Sequence, residues 1–142
     1  MALVIAAAEP GQFEDILSFW LQATEVASST DDHLGLTTLH AHDPEALFVA
    51  TEDGQLVGTL ITGWDGWRAN FYRLAVRPTN RGQGIGRALV AAGEARFRRL
   101  GARRVVLFAV ESHDPAVSFW RAVGYEQDQD DVRFTRNLPA AP

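Results

Sequence analysis

Apolar residues fall at helical spacing in several stretches of the chain, separated by shorter runs that suit strands. Phe13, Ile16, Leu17, Trp20, Leu21 and Ala23 to Ala27 predict a helix from Gln12 to about Ser28. Ser28-Ser29-Thr30-Asp31-Asp32 breaks that pattern and supplies N-cap candidates for a second, short helix over His33 to His42. Leu3 to Ala8 reads as a first strand, punctuated by Pro10 and Gly11. Ala46 to Thr51 and Gln55 to Thr62 read as two strands joined at Asp53-Gly54, a strong hairpin signal. Trp64-Asp65-Gly66-Trp67 reads as another hairpin turn, leading into an aromatic and apolar strand from Asn70 to Val76. Arg77-Pro78 ends that strand, because proline removes a ladder donor and restricts its predecessor. Beyond it, Ile85, Leu89, Ala92, Phe97 and Leu100 mark one face of a helix, with an Arg-rich run expected on the opposite face and Gly101 as its stop. Arg103 to Val110 reads as a strand, Ala116 to Val123 as a short helix closed by Gly124, and Val132 to Leu138 alternates like a final strand.

The whole pattern turns on the segment between the Asn70–Val76 strand and the long helix. Arg81, Gly82, Gln83, Gly84, Ile85 and Gly86 make a side-chain-poor turn, followed by Arg87. Backbone N–H groups left over at a helix N-terminus, together with the helix dipole, favour an anion such as a phosphate. Glycine allows that approach because no Cβ intervenes, and Arg81 and Arg87 add positive charge. A plain strand-to-helix turn without a ligand accounts for the same residues. A Walker A loop is excluded, since it needs a lysine and all thirteen basic residues are arginine. A dinucleotide fingerprint fits poorly. Arg87 holds its third glycine position, Glu111 lies too far on, and too little chain follows.

Composition narrows the class. At 142 residues, 46% hydrophobic and 22% charged, the chain is expected to be one soluble domain spanning residues 1–142. Cysteine is absent, which removes disulfides, thiolate metal sites and Cys nucleophiles. His40 and His42 lack a third ligand at useful spacing, so no metal is expected. The net charge of −5 argues against nucleic acid. The N-terminal MALVIAAAEP is too short and too poor in basic residues for a signal peptide or a membrane span, so no membrane partner and a cytoplasmic location are the expectations.

Arg81-x-x-Gly84-x-Gly86, after a strand ending Leu74-Ala75-Val76, resembles the pyrophosphate-binding motif of the GNAT superfamily of acyl-CoA-dependent N-acetyltransferases. The likeness runs on through Gly101-Ala102, the Arg103–Val110 strand and Gly124-Tyr125, and the Gly63-Trp64-Asp65-Gly66-Trp67-Arg68 loop looks like that of a bacterial subgroup with a G-x-D-G-x-R turn. The resemblance implies an α+β fold: a mixed, mostly antiparallel sheet of six or seven strands, helices on both faces, and a central parallel pair around Leu74 and Val105 whose helical crossover is right-handed.

It also implies direct transfer of an acetyl group from acetyl-CoA to a small-molecule or peptide amine, with no metal. Main-chain groups of Leu74 and Val76, flanking Ala75, would hold pantetheine and polarise the carbonyl, and the amides from Gly82 through Gln83, Gly84, Ile85 and Gly86 to Arg87 would hold the pyrophosphate. A second landmark of the family is matched by His113, Ala116, Trp120, Gly124 and Tyr125, with two departures. His113 replaces an Asn that contacts CoA; a capping or loop histidine reads equally well. Trp120 replaces the Tyr that protonates the thiolate, and an indole N–H donates without shuttling protons. A thiol of pKa about 8.5 leaves tolerably unaided, and loss of a general acid costs about 10²- to 10⁴-fold, so the reaction survives the substitution.

Tyr72 is a substitute acid or base, on a strand where it shares parity with Leu74 and Val76; ordinary core packing is the plainer reading. Glu111 and His113 are the candidate general bases. On the acceptor side stand Trp64, Trp67, Asp65 and Asp32. They accompany Glu25, Asp31, Asp43 and Glu45, which form either an acidic mouth for a cationic amine or a solvated acidic face. Asp65 and Arg68 are expected to pair and fix their turn. The sequence leaves a homodimer open, and leaves one alternative of another class: a CoA-binding sensor or regulatory module weakened in catalysis.

Overall fold

A computed structural model describes residues 2–23, 28–109 and 114–139. It falls into two compact units, Met1–Phe108 and Ala109–Pro142.

In the first unit, β1 (Leu3–Ala7), β2 (Leu47–Glu52), β3 (Gln55–Trp64), β4 (Ala69–Val76) and β5 (Val105–Val106) form one sheet in the order β1-β2-β3-β4-β5. The first three pairings are antiparallel and the β4–β5 pairing is parallel. Asp53 (φ 53°) and Gly54 (φ 76°) make the β2–β3 turn, both left-handed as a two-residue hairpin of this twist requires. Helices α1 (Phe13–Ala23) and α2 (His33–His42) precede β2, and α3 (Ile85–Leu100) links β4 to β5. Asp32 caps α2 by accepting from the Gly35 N–H at 2.8 Å. Gly101, at φ 91°, ends α3, with the Ala102 N–H bonded to the Phe97 carbonyl.

Alternation along β3 sorts the two faces. Thr59 lies under α1, where the Trp20 indole N–H donates to its hydroxyl at 2.8 Å. On that side Phe13, Ile16, Phe19, Trp20 and Ala23 pack with Leu36, Val49 and Ala75. Gly58 and Leu60 lie under α3: a Cβ on Gly58 would stand 2.9 Å from Leu89, and one on Gly93 would stand 2.6 Å from the Phe71 ring and 3.1 Å from Leu60. Small residues therefore let α3 approach the sheet. Leu89 and Phe97 are fully buried there, each worth roughly 1.5–3 kcal/mol of burial. Being covered by helices on both faces, β3 reads as a near-continuous apolar run.

Four features depart from the sequence pattern. Arg96 is not on the solvated face of α3. It is 6% exposed and turns inward to Thr62 and Asp43. Of the strand expected over Arg103–Val110, whose Val110 lies outside the described residues, the described part pairs at Val105 and Val106, opposite Ala69 and Asn70 and not beside Leu74. In the second unit, no strand is assigned after α4 (Asp114–Ala122) among the described residues. There Val132, Phe134 and Leu138 alternate as expected but stand exposed, Phe134 at 89%. Five strands thus stand among the described residues where six or seven were expected. Period-two alternation specifies a face, whereas a strand also needs a partner for its N–H and C=O groups. The fourth departure is a bulge in β4, taken up below. Among the described residues no helix is long and apolar enough to cross a membrane.

Candidate active site

The bulge lies in the middle of β4. Thr59 pairs with Ala75 and Ile61 with Tyr72, so Arg73 and Leu74 together oppose Leu60. Arg73 takes φ 52°, uncommon for a side chain larger than glycine's. Its carbonyl accepts from the Thr59 hydroxyl at 2.9 Å. Its guanidinium binds Asp31 through two contacts, Nε to Oδ1 at 3.0 Å and Nη2 to Oδ2 at 2.6 Å, and lies 5.9 Å from the centre of the Trp20 ring.

The inserted residue breaks the parity that regular alternation assigns to Tyr72. Phe71 faces Gly93 on α3, and Ala75 belongs to the cluster under α1. Tyr72 lies against Gly63 and faces the α1 side, not the side of Leu74 and Val76. It is 50% exposed, so it is not an ordinary core residue. Partial burial and, secondarily, the charge of Asp65 hold its phenol above the usual 10.0. Tyr72 therefore keeps its proton throughout the neutral range, where it can give up a proton but cannot serve as a base.

Beyond the bulge the outer edge of β4 opens. β5 covers only Ala69 and Asn70, and from Tyr72 to Val76 no strand lies on that edge among the described residues. The main chain of Leu74, Ala75 and Val76 leads into the turn. Pro78–Asn80 forms one turn of 3-10 helix, Gly82 (φ 79°) and Gly84 (φ 84°) are left-handed, and Gly84 is the N-cap of α3 without a side-chain capping bond. A Cβ on Gly82 or Gly84 would meet nothing within 4 Å, so the space over these amides is open. Ile85 and Gly86 are buried at the helix start, Gln83 and Arg87 are exposed, and the Gln83 side chain accepts from Asn80 at 3.4 Å. The Arg81 guanidinium donates to the carbonyl of Ala23, the last residue of α1, at 3.1 Å. Its charge sits at the negative end of that helix as well as beside the turn.

The acceptor-side candidates divide. Asp65 Oδ1 accepts the backbone N–H groups of Arg68 at 2.7 Å and Trp67 at 2.8 Å. These two bonds, Arg68 first, hold its carboxyl below the usual 3.8. The stabilisation of the turn is present above that ordinary value and is lost as pH falls through the lowered one. Asp65 thus fixes its turn as expected, but through Arg68 backbone. The Arg68 guanidinium instead lies 4.1 Å from the centre of the Trp67 ring. Trp67 is 74% exposed and Trp64 half-buried at the end of β3.

Three of the five residues of the acidic mouth are engaged elsewhere. Asp31 serves Arg73, Asp32 caps α2 and Asp43 binds Arg96; Glu25 lies outside the described residues. Glu111 and His113 also lie outside them. In the second unit, Ala116 is half-buried in α4, and the Trp120 ring meets Phe119 and Tyr125 edge-on at 5.2 Å each. The Tyr125 N–H closes α4 on the Trp120 carbonyl.

The residues that sequence reasoning missed are Thr59, Asp31 and Arg73 acting as one unit. Asp31 is 42 residues from Arg73, and no local pattern announces their pairing.

Residues 13–125 match the acetyltransferase (GNAT) family. An acetyltransferase of Photorhabdus laumondii is 32% identical over 127 residues, 89% of each chain. Among solved structures, Ard1 from Thermoplasma volcanium superposes with a TM-score of 0.81 at 22% identity, over 91% of this chain and 86% of that one. The PaiA N-acetyltransferase of Thermoplasma acidophilum, solved in complex with coenzyme A, superposes with a TM-score of 0.80 at 15% identity, over 92% and 94%.

Proposed function

The chain belongs to the acetyltransferase (GNAT) family, and we propose that its residues 1–142 form one cytoplasmic N-acetyltransferase domain that uses acetyl-CoA to acetylate a primary amine of a small molecule or peptide. The observation that carries this reading is the continuity of two open main-chain surfaces. The edge of β4 from Tyr72 to Val76, on which no strand lies among the described residues, runs directly into the glycine turn that opens α3. An extended pantetheine needs the first, a pyrophosphate the second.

Gly82 to Arg87 hold the diphosphate by their N–H groups, and Arg81 and Arg87 supply charge. The N–H next to the bulge, at Leu74, donates to the thioester oxygen, whose negative charge grows as the amine adds. Acetyl-CoA contributes the thioester. The new C–N bond forms, the C–S bond breaks with CoA leaving as the thiolate, and the amine's proton passes to a base for which Glu111 and His113 are the candidates. Tyr72, protonated and half-exposed beside the bulge, is positioned as a donor. Trp120 packs and donates but transfers no proton. The Gly63–Arg68 turn, with exposed Trp67, borders the acceptor, and its G-x-D-G-x-R residues support a reading of the chain as one of the bacterial subgroup with that turn.

A thiol-release assay with acetyl-CoA and a panel of small primary amines and peptides tests the proposal. Sustained CoA release with at least one amine is expected. Binding without turnover across the panel would favour the sensor reading that Trp120 keeps open. Failure to bind would refute both.

A further inference from the structure

Arg73 holds a backbone conformation that an arginine adopts only when its surroundings impose it. Two separate restraints do so. One acts on the main chain: the Trp20 indole donates to the Thr59 hydroxyl, which donates in turn to the Arg73 carbonyl. That chain is anchored on a helix, because Trp20 is buried in α1 and Thr59 is wholly enclosed. The other acts on the side chain: Asp31 grips the guanidinium at two points, and its Oδ2 also accepts from the Ser28 N–H at 3.2 Å. Both side chains of that ion pair are about one-fifth exposed, and the pair fixes the direction in which Arg73 leaves the strand.

Both restraints converge on Arg73, the residue immediately before Leu74. A bulge is the place in a strand where the next N–H can be re-aimed, and main-chain donors activate a carbonyl only when their direction is fixed before the reaction. We propose that Thr59 and Asp31 are positioning residues that clamp the Arg73 bulge and thereby aim the Leu74 N–H at the thioester carbonyl. The inference rests on the acetyltransferase reading above. It assigns functions to two residues that would touch neither substrate.

The probe is acetyl-CoA labelled with ¹³C at the thioester carbonyl, bound to the full chain and read by difference infrared spectroscopy alongside its affinity by calorimetry. In the unmutated protein the carbonyl stretch shifts to lower frequency on binding. Asp31→Asn and Arg73→Gly bind acetyl-CoA as tightly as the unmutated chain but return the stretch toward its free value. Arg73→Gly keeps the bulge permissible, since glycine is at ease at positive φ, so a folding failure is not expected there. Thr59→Val behaves like Asp31→Asn, and Thr59→Ser, which restores the hydroxyl, recovers the shift. A merely structural role would alter stability without moving the carbonyl frequency of bound ligand. Loss of the shift in Asp31→Asn or Arg73→Gly supports the clamp. Retention of the full shift in both, or no shift in the unmutated protein, overturns it. If the unmutated protein fails to bind acetyl-CoA, the acetyltransferase reading itself falls.

Discussion

Gly84→Val weakens acetyl-CoA binding by roughly 10²-fold or more, while Gly101→Val, at the other end of the same helix, leaves it unchanged. The pair of substitutions separates fold from function because the two glycines are conformational equivalents. Gly84 caps the N-terminus of α3 at φ 84°, Gly101 caps its C-terminus at φ 91°, and a Cβ at either position meets nothing within 4 Å. Each valine therefore costs the fold a similar amount, about 1–2 kcal/mol for a left-handed residue with a Cβ. Only at Gly84 does the new side chain stand over amides that receive the diphosphate. Losing two hydrogen bonds to a charged group, at about 1.5–3 kcal/mol each, gives the expected fall in affinity. Calorimetric titration with acetyl-CoA, beside thermal unfolding of all three proteins, reads both quantities. Equal binding by the two variants would show that the turn is only a turn.

The largest stability effect belongs to a residue remote from that turn. Asp43→Ala destabilises the chain by about 3–5 kcal/mol, a large part of the roughly 5–15 kcal/mol that holds a domain together. The Arg96 guanidinium is buried and bound through both terminal nitrogens: Nη1 donates to the Thr62 carbonyl and hydroxyl, both at 2.8 Å, and Nη2 to Asp43 Oδ1 and Oδ2 at 2.8 and 2.7 Å. Removing Asp43 leaves that charge enclosed without its counterion, and desolvation makes such a charge expensive. Replacing both partners, as in Asp43→Leu with Arg96→Met, takes the charge away and returns most of the loss. Urea unfolding with an unchanged m-value checks the sequence of stabilities. A cost below about 1 kcal/mol for Asp43→Ala would mean that water reaches the guanidinium and that the pair behaves as a surface one.

These cases also show which features the sequence discloses. Local signals carried the elements on which the candidate site stands. The limits of α2 follow from Asp32 and from the spacing of its apolar residues, and those of α3 from Gly84, Leu89, Phe97 and Gly101. Asp53-Gly54 specified its hairpin, and the glycine turn was visible because open, left-handed backbone needs glycine. What stayed hidden depends on residues distant in the chain. Arg96 belongs by spacing to a polar run, and Asp43 and Thr62, 53 and 34 residues away, explain why it turns inward. The bulge carries no glycine to mark it, and Arg73 is held there by side chains from α1, β3 and the segment before α2. That one inserted residue reversed the facing of Tyr72. The short β4–β5 pairing was hidden for a related reason. The residues of Leu107 to Ala109 resemble strand residues in every local respect, yet among the described residues the ladder with β4 is formed at Val105 and Val106.

A crystal structure of the protein with acetyl-CoA tests the account at its centre. It should show the diphosphate resting on the N–H groups between Gly82 and Arg87, and the thioester oxygen within hydrogen-bonding distance of the Leu74 N–H. Acetyl-CoA bound elsewhere, or a diphosphate held by side chains alone with those amides facing water, would contradict it.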